Sequence, residues 1–107
     1  MLIKAQASAL VVIDMQERLV SAMVAPNHTI KNTSLLLQVA ARTMVPSILT
    51  EQYPEGLGST IPTIKNAAGH SPVLPKLHFS CMQDTRFATT FKSLNRQQVI
   101  LTGMEAH

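Results

Sequence analysis

Tryptophan is absent from this chain and cysteine occurs once, at Cys81. A lone cysteine excludes an internal disulfide framework and makes a reducing, cytoplasmic setting the expectation. Aromatic residues are scarce, with one tyrosine and three phenylalanines. Charge is also scarce, at 14% of residues against 46% hydrophobic. That balance is too apolar for intrinsic disorder. No apolar run reaches the roughly 18–20 residues of a membrane span. The opening MLIKAQAS lacks the basic-then-apolar layout of a signal peptide. The net charge is +3, but the nine basic residues, from Lys4 to Arg96, form no run or helical stripe. A nucleic-acid footprint clusters its charge and uses aromatic rings for stacking. Neither a membrane nor a nucleic acid is therefore an expected partner.

What the 107 residues do contain suits one small domain with a modest core. Ala9 to Ile13 are apolar without interruption, rich in β-branched residues, and end on Asp14. This is the pattern of a strand buried on both faces, with a charge where open α/β sheets place their ligands. An irregular or briefly helical loop follows, Gln16 to Val24, with Leu19, Val20 and Met23 facing inward and Gln16 and Glu17 solvated. Pro26 and Asn27 punctuate it. The spacing of Ile30, Ser34, Leu37, Ala41 and Met44 predicts a helix over 29–43, capped by Asn27 or Thr29. A second strand is expected at Pro46–Glu51, then a turn-rich loop, Gln52–Ser59. Thr60 is expected to cap a short helix through Asn66, with Pro62 in its first turn. Val73–Phe79 reads as a third strand, with Pro75 pointing to an edge position or a bulge. Asp84 caps a helix over 85–94, ended by Asn95. Gln98–Thr102 reads as a fourth buried strand. Alternation of strands and helices implies an α/β fold with crossover connections and a mostly parallel sheet. The chain stops directly after a buried strand, so the sheet is expected to be incomplete at its C-terminal side.

Local sequence leaves the chemistry open. Asp14 reads as a strand-end aspartate serving a turn or as a carboxylate at a ligand site. Lys76, inside an apolar run, reads as a solvated lysine of an edge strand or as the partner of a neighbouring carboxylate. Cys81 near His78 invites a thiol–imidazole reading, but a lone cysteine after a strand is usually a small packed hydrophobe. His28, His70, His78 and His107 form no close pair, so zinc is not indicated. The stretch EGLGST matches no phosphate-binding glycine motif.

Four stretches together carry a resemblance: ALVVIDMQERL at 9–19, ILTEQYPEGLGSTIP at 48–62, LPKLHFSC at 74–81 and QVILTGMEAH at 98–107. The chain resembles the isochorismatase-like cysteine hydrolases, in the branch of the eukaryotic isochorismatase-domain proteins. The resemblance implies a three-layer α/β/α, doubly wound, Rossmann-like fold, with residues 1–107 as the N-terminal part of a single domain. It implies an Asp-Lys-Cys triad acting on a small amide-type substrate, with Asp14 and Lys76 as the first two members. The cysteine would be the second residue past His107, and Cys81 does not stand in for it. A cis Met104–Glu105 peptide is implied beside the oxyanion site. Gln52, Tyr53 and Leu57 are implied as pocket-lining residues. The metal-binding Asp-x-His of the family's nicotinamidases has no counterpart in TEQYPEG, so neither metal nor cofactor is expected. The expected partners are a small-molecule substrate, further copies of the chain and a missing C-terminal segment. The alternative is a non-catalytic member that keeps the fold for binding or interaction.

Overall fold

The structure is a computed structural model, and it describes residues 3–76 and 85–103. Its central element is the apolar run itself. Strand β1, Ser8–Ile13, is buried at every position. Short helix α1, Glu17–Ser21, and helix α2, Pro26–Arg42, follow it. Strand β2, Ser47–Gln52, helical turn α3, Pro54–Leu57, helix α4, Pro62–Ala68, and strand β3, Val73–Lys76, come next. Helix α5, Thr85–Ser93, and strand β4, Gln98–Gly103, close the described chain.

The strands form one parallel sheet in the order β3-β2-β1-β4. In register, Ile13 lies beside Thr50 on one side and Gly103 on the other, and Gln52 lies beside Lys76. Residues that pair across parallel strands share a face, and alternate residues of one strand do too. Leu10, Val12 and Leu49 therefore face one way and pack with Leu37 of α2 and Ile64 of α4. Val11, Ile13 and Ile48 face the other way and pack with Phe87 of α5. These are the three layers, and β1 is apolar throughout because both of its faces are covered.

The order of the strands also locates a crevice. From β1 the chain moves outward through β2 to β3. It then returns on the opposite face to place β4 on the far side of β1. The crossover thus leaves β2 and β4 on opposite sides of β1, and the C-terminal end of β1 between them is where open α/β sheets of this kind bind ligands.

Local differences from the sequence pattern have physical causes. Helix α2 begins at Pro26, not near Thr29, because proline fits the first helical position and needs no N–H partner there. No side chain of Asn27 or Thr29 caps it; Ala25, in a left-handed conformation, precedes it. Its buried stripe runs through Thr33, Leu37 and Ala40, whereas Met44 is 83% exposed. Thr33 tolerates burial because its hydroxyl meets that of Thr102 at 3.1 Å. Helix α4 has Pro62 at its start, as its spacing predicts, but Ile61 is its N-cap rather than Thr60. Among the described strands β3, carrying Pro75, stands at an edge, one of the two positions expected for it; residues 77–79 of the expected strand lie outside the described residues. Strand β4 is not a buried strand: Val99 and Leu101 are 43% and 55% exposed. They share the face of Ala9 and Val11, and among the described strands β4 has a neighbour on one side only.

Candidate functional site

The site begins where β1 ends. A strand continued regularly past Ile13 would turn Asp14 toward the face of Val12. Asp14 instead has φ of 54°, in the left-handed region that aspartate enters more readily than most residues. The turn directs its carboxylate to the other face, where Thr50, Gln52 and Lys76 stand in register. Asp14 Oδ2 accepts a hydrogen bond from Lys76 Nζ at 2.9 Å. Asp14 Oδ1 accepts one from Thr50 Oγ1 at 2.7 Å. The Asp14 backbone N–H donates to the Thr50 carbonyl at 3.1 Å and to its Oγ1 at 3.3 Å. Lys76 Nζ donates a second hydrogen bond, to Gln52 Oε1, at 3.0 Å.

Asp14 and Lys76 are each 2% exposed. Removing two charges from water costs several kcal/mol per ion, so such a pair persists only with good geometry and further hydrogen bonds. Thr50 and Gln52 supply those bonds. A buried, fully paired carboxylate and ammonium, at the sheet's switch point, can exchange a proton with a bound group and impose positive potential on it.

A second set of contacts straps residues 53–61 over this end of the sheet. Gln16 is fully buried, not solvated as its polar type suggests. Its Nε2 donates to the carbonyls of Gln52 and Gly58 at 2.9 and 2.8 Å, and its Oε1 accepts from the Gln52 N–H at 2.7 Å. The amide thereby substitutes for the strand neighbour that Gln52 would otherwise have. Glu51 Oε2 accepts from both the N–H and the hydroxyl of Thr60, each at 2.7 Å. Glu17 N–H donates to Ser59 O at 3.0 Å, and Ile61 N–H to Met15 O at 2.9 Å.

The pocket residues expected from the resemblance are placed as follows. Gln52 serves the pair directly through Lys76. Tyr53, with φ of 42°, is 52% exposed, and its N–H donates to Lys76 O at 3.1 Å. Its ring lies so close over Gly56 that a Cβ there would fall 2.3 Å from Tyr53 Cε2. Leu57 is half-buried at the end of α3. Gly103 closes β4 against β1: its φ is 111°, and a Cβ would lie 2.3 Å from the Ile13 carbonyl oxygen. Met104, Glu105, Cys81, His78, Asp84 and His107 lie outside the described residues. Among the described residues, no group of three or more His, Cys, Asp or Glu side chains is arranged to hold a metal ion.

Thr50, Gln16 and Glu51 were not singled out by sequence reasoning. One signal pointed to Thr50 and Glu51, and none to Gln16. Thr50-Glu51-Gln52 is a polar tripeptide at the end of a strand that the sheet order buries, and buried polar groups require partners.

Comparison with known proteins follows the same lines. The family model for the Isochorismatase domain matches residues 8–107. Isochorismatase domain-containing protein 2 of Danio rerio is 40% identical over 100 residues, covering 92% of this chain and 49% of its own length. The solved structure of MAR1 ribonuclease from Caenorhabditis elegans superposes with a TM-score of 0.84 at 38% identity, over 94% of this chain and 52% of that one. The YcaC gene product of Escherichia coli, an octameric hydrolase of unknown specificity, superposes with a TM-score of 0.83 at 23% identity, over 95% of this chain and 52% of that one. The chain spans about half the length of these relatives.

Proposed function

This chain belongs to the isochorismatase family, and from that premise we propose that it carries the acid–base half of a cysteine hydrolase acting on a small amide-type substrate. The observation that supports this reading above the others is the buried Asp14–Lys76 pair at the switch point. A cysteine two positions beyond His107 supplies the thiol in the protein of which this segment is part. Asp14 takes the thiol proton, and Lys76 adds positive potential that favours the thiolate. The thiolate attacks the amide carbonyl, and backbone N–H groups at Glu105 and that cysteine receive the oxyanion. The C–N bond breaks as Asp14 returns its proton to the leaving nitrogen, and a thioester remains. Water, losing a proton to Asp14, then attacks the thioester; the acid leaves and the thiol is restored.

The test is ammonia release from a panel of small primary carboxamides, using protein expressed from its whole reading frame. Turnover of at least one amide is expected, with a loss of at least about 100-fold in Asp14→Asn, the range for removing a general base. No hydrolysis across the panel, or full activity in Asp14→Asn, would overturn the proposal.

One observation favours a second reading: the 38%-identical C. elegans structure is that of a protein named a ribonuclease. Cleavage of a single-stranded RNA, abolished by the same Asp14→Asn change, is its expected outcome. RNA left intact beside a hydrolysed amide decides for the first reading.

A further inference from the structure

The hydrogen bonding around Asp14 leaves no freedom in its assignment. Thr50 Oγ1 has one hydrogen and two partners on Asp14: the backbone N–H, which can only donate, and Oδ1 of the carboxylate, which can only accept. The hydroxyl hydrogen therefore points to Oδ1, while the Asp14 N–H is shared between the Thr50 carbonyl at 3.1 Å and the hydroxyl oxygen at 3.3 Å. Thr50 is 1% exposed, so no water competes for these positions. The other carboxylate oxygen, Oδ2, is held by the Lys76 ammonium. Rotation of the carboxylate would break one of the two bonds, and its plane is thereby fixed.

The two oxygens are not equivalent. A hydrogen bond from a cation is stronger than one from a neutral hydroxyl. Oδ2 is thus the more neutralised of the two, and Oδ1 is the one better able to receive a proton. We propose that Thr50 is a positioning residue that orients the Asp14 carboxylate so that Oδ1 is the atom that takes the proton of the nucleophile. This rests on the reading of Asp14 as the proton acceptor. Thr50 acts only through the carboxylate that it holds. Its contribution is direction, the element of proton transfer that depends on alignment.

The experiment compares wild type, Thr50→Val, Thr50→Ser and Asp14→Asn in the whole protein, using the carboxamide hydrolysed fastest. Valine keeps the shape of threonine and removes the hydroxyl, leaving the Asp14 N–H its shorter bond to the Thr50 carbonyl; serine keeps the hydroxyl. Thr50→Val is expected to lose about 10-fold or more in kcat with KM within about twofold, and Thr50→Ser to stay within about threefold of wild type. A Thr50→Val enzyme within threefold of wild type, or a Thr50→Ser enzyme as slow as Thr50→Val, overturns the inference while an inactive Asp14→Asn leaves the role of Asp14 standing. An active Asp14→Asn removes both. Should Thr50→Val not fold, NMR of the wild-type protein decides: a Thr50 hydroxyl proton protected from exchange is expected, and its absence overturns the proposal.

Discussion

Lys76 reaches Asp14 from an edge strand across the whole width of β2, and the energetics of that reach are testable at the residue scale. Both side chains are shut away from water. Lys76→Met leaves an uncompensated carboxylate in the interior, and breaking a buried pair in this way costs about 3–5 kcal/mol. Neutralising both partners, Asp14→Asn with Lys76→Met, removes the orphan charge and is expected to cost less than Lys76→Met alone. Urea unfolding of the two variants beside wild type checks this, and a loss under about 1 kcal/mol in Lys76→Met would show the pair to be solvated. Taken locally, Asp14 stood between a turn residue and a ligand-site carboxylate, and Lys76 between an edge lysine and the partner of a neighbouring carboxylate; only the resemblance joined the two. What decides between those readings is the left-handed turn at Asp14, which no residue pattern reveals, and the register that sets Lys76 beside Gln52.

At the scale of elements, the segment from Tyr53 to Ile61 owes its position to groups outside it. Its composition, rich in glycine and proline, reads as a loop after β2, but Gln52 belongs to the strand and Pro54–Leu57 form a helical turn that proline starts. The composition is silent on what holds the loop, because Gln16 lies 36 residues from Gln52 and 42 from Gly58. Gln16→Ala strands the Gln52 N–H and two carbonyls, each costing about 1–3 kcal/mol if it stays buried and unpaired. The expected outcome is local release rather than global unfolding: proteolytic cleavage within 53–59 should accelerate several-fold while β1 and β2 resist. Cleavage spread over the whole chain, or no change, would contradict the strap. The α2 helix teaches the companion lesson. Its existence and the buried Leu37 and Ala40 were legible from apolar spacing, but its start and the buried Thr33 were not. Pro26 resembles a loop residue until it is seen to occupy the first helical turn, and Thr33 resembles a surface residue until Thr102 meets it.

For the whole molecule, the alternation of strands and helices carried the architecture, and the uninterrupted apolar run of β1 carried its centre. Whether a given helix lies above or below the sheet follows from the strand order, which composition does not state. That order divides the interior into two separate cores. Leu37 belongs to the core under α2 and α4, Phe87 to the one under α5, and the two share no packing partner in their clusters. Leu37→Ala should destabilise by about 2–5 kcal/mol and Phe87→Ala by about 3–5 kcal/mol. Because β1 separates the two cavities, the double variant should show the sum to within about 0.5 kcal/mol, as distant independent sites do. Losses of this size approach the whole stability of a small domain, so the cycle is best run on Leu37→Val and a Phe87→Leu background by urea unfolding. A coupling above about 1 kcal/mol would mean that the central strand shifts to fill either cavity. In that case Asp14, at the end of the same strand, would move with it, and packing changes on either face would reach the site.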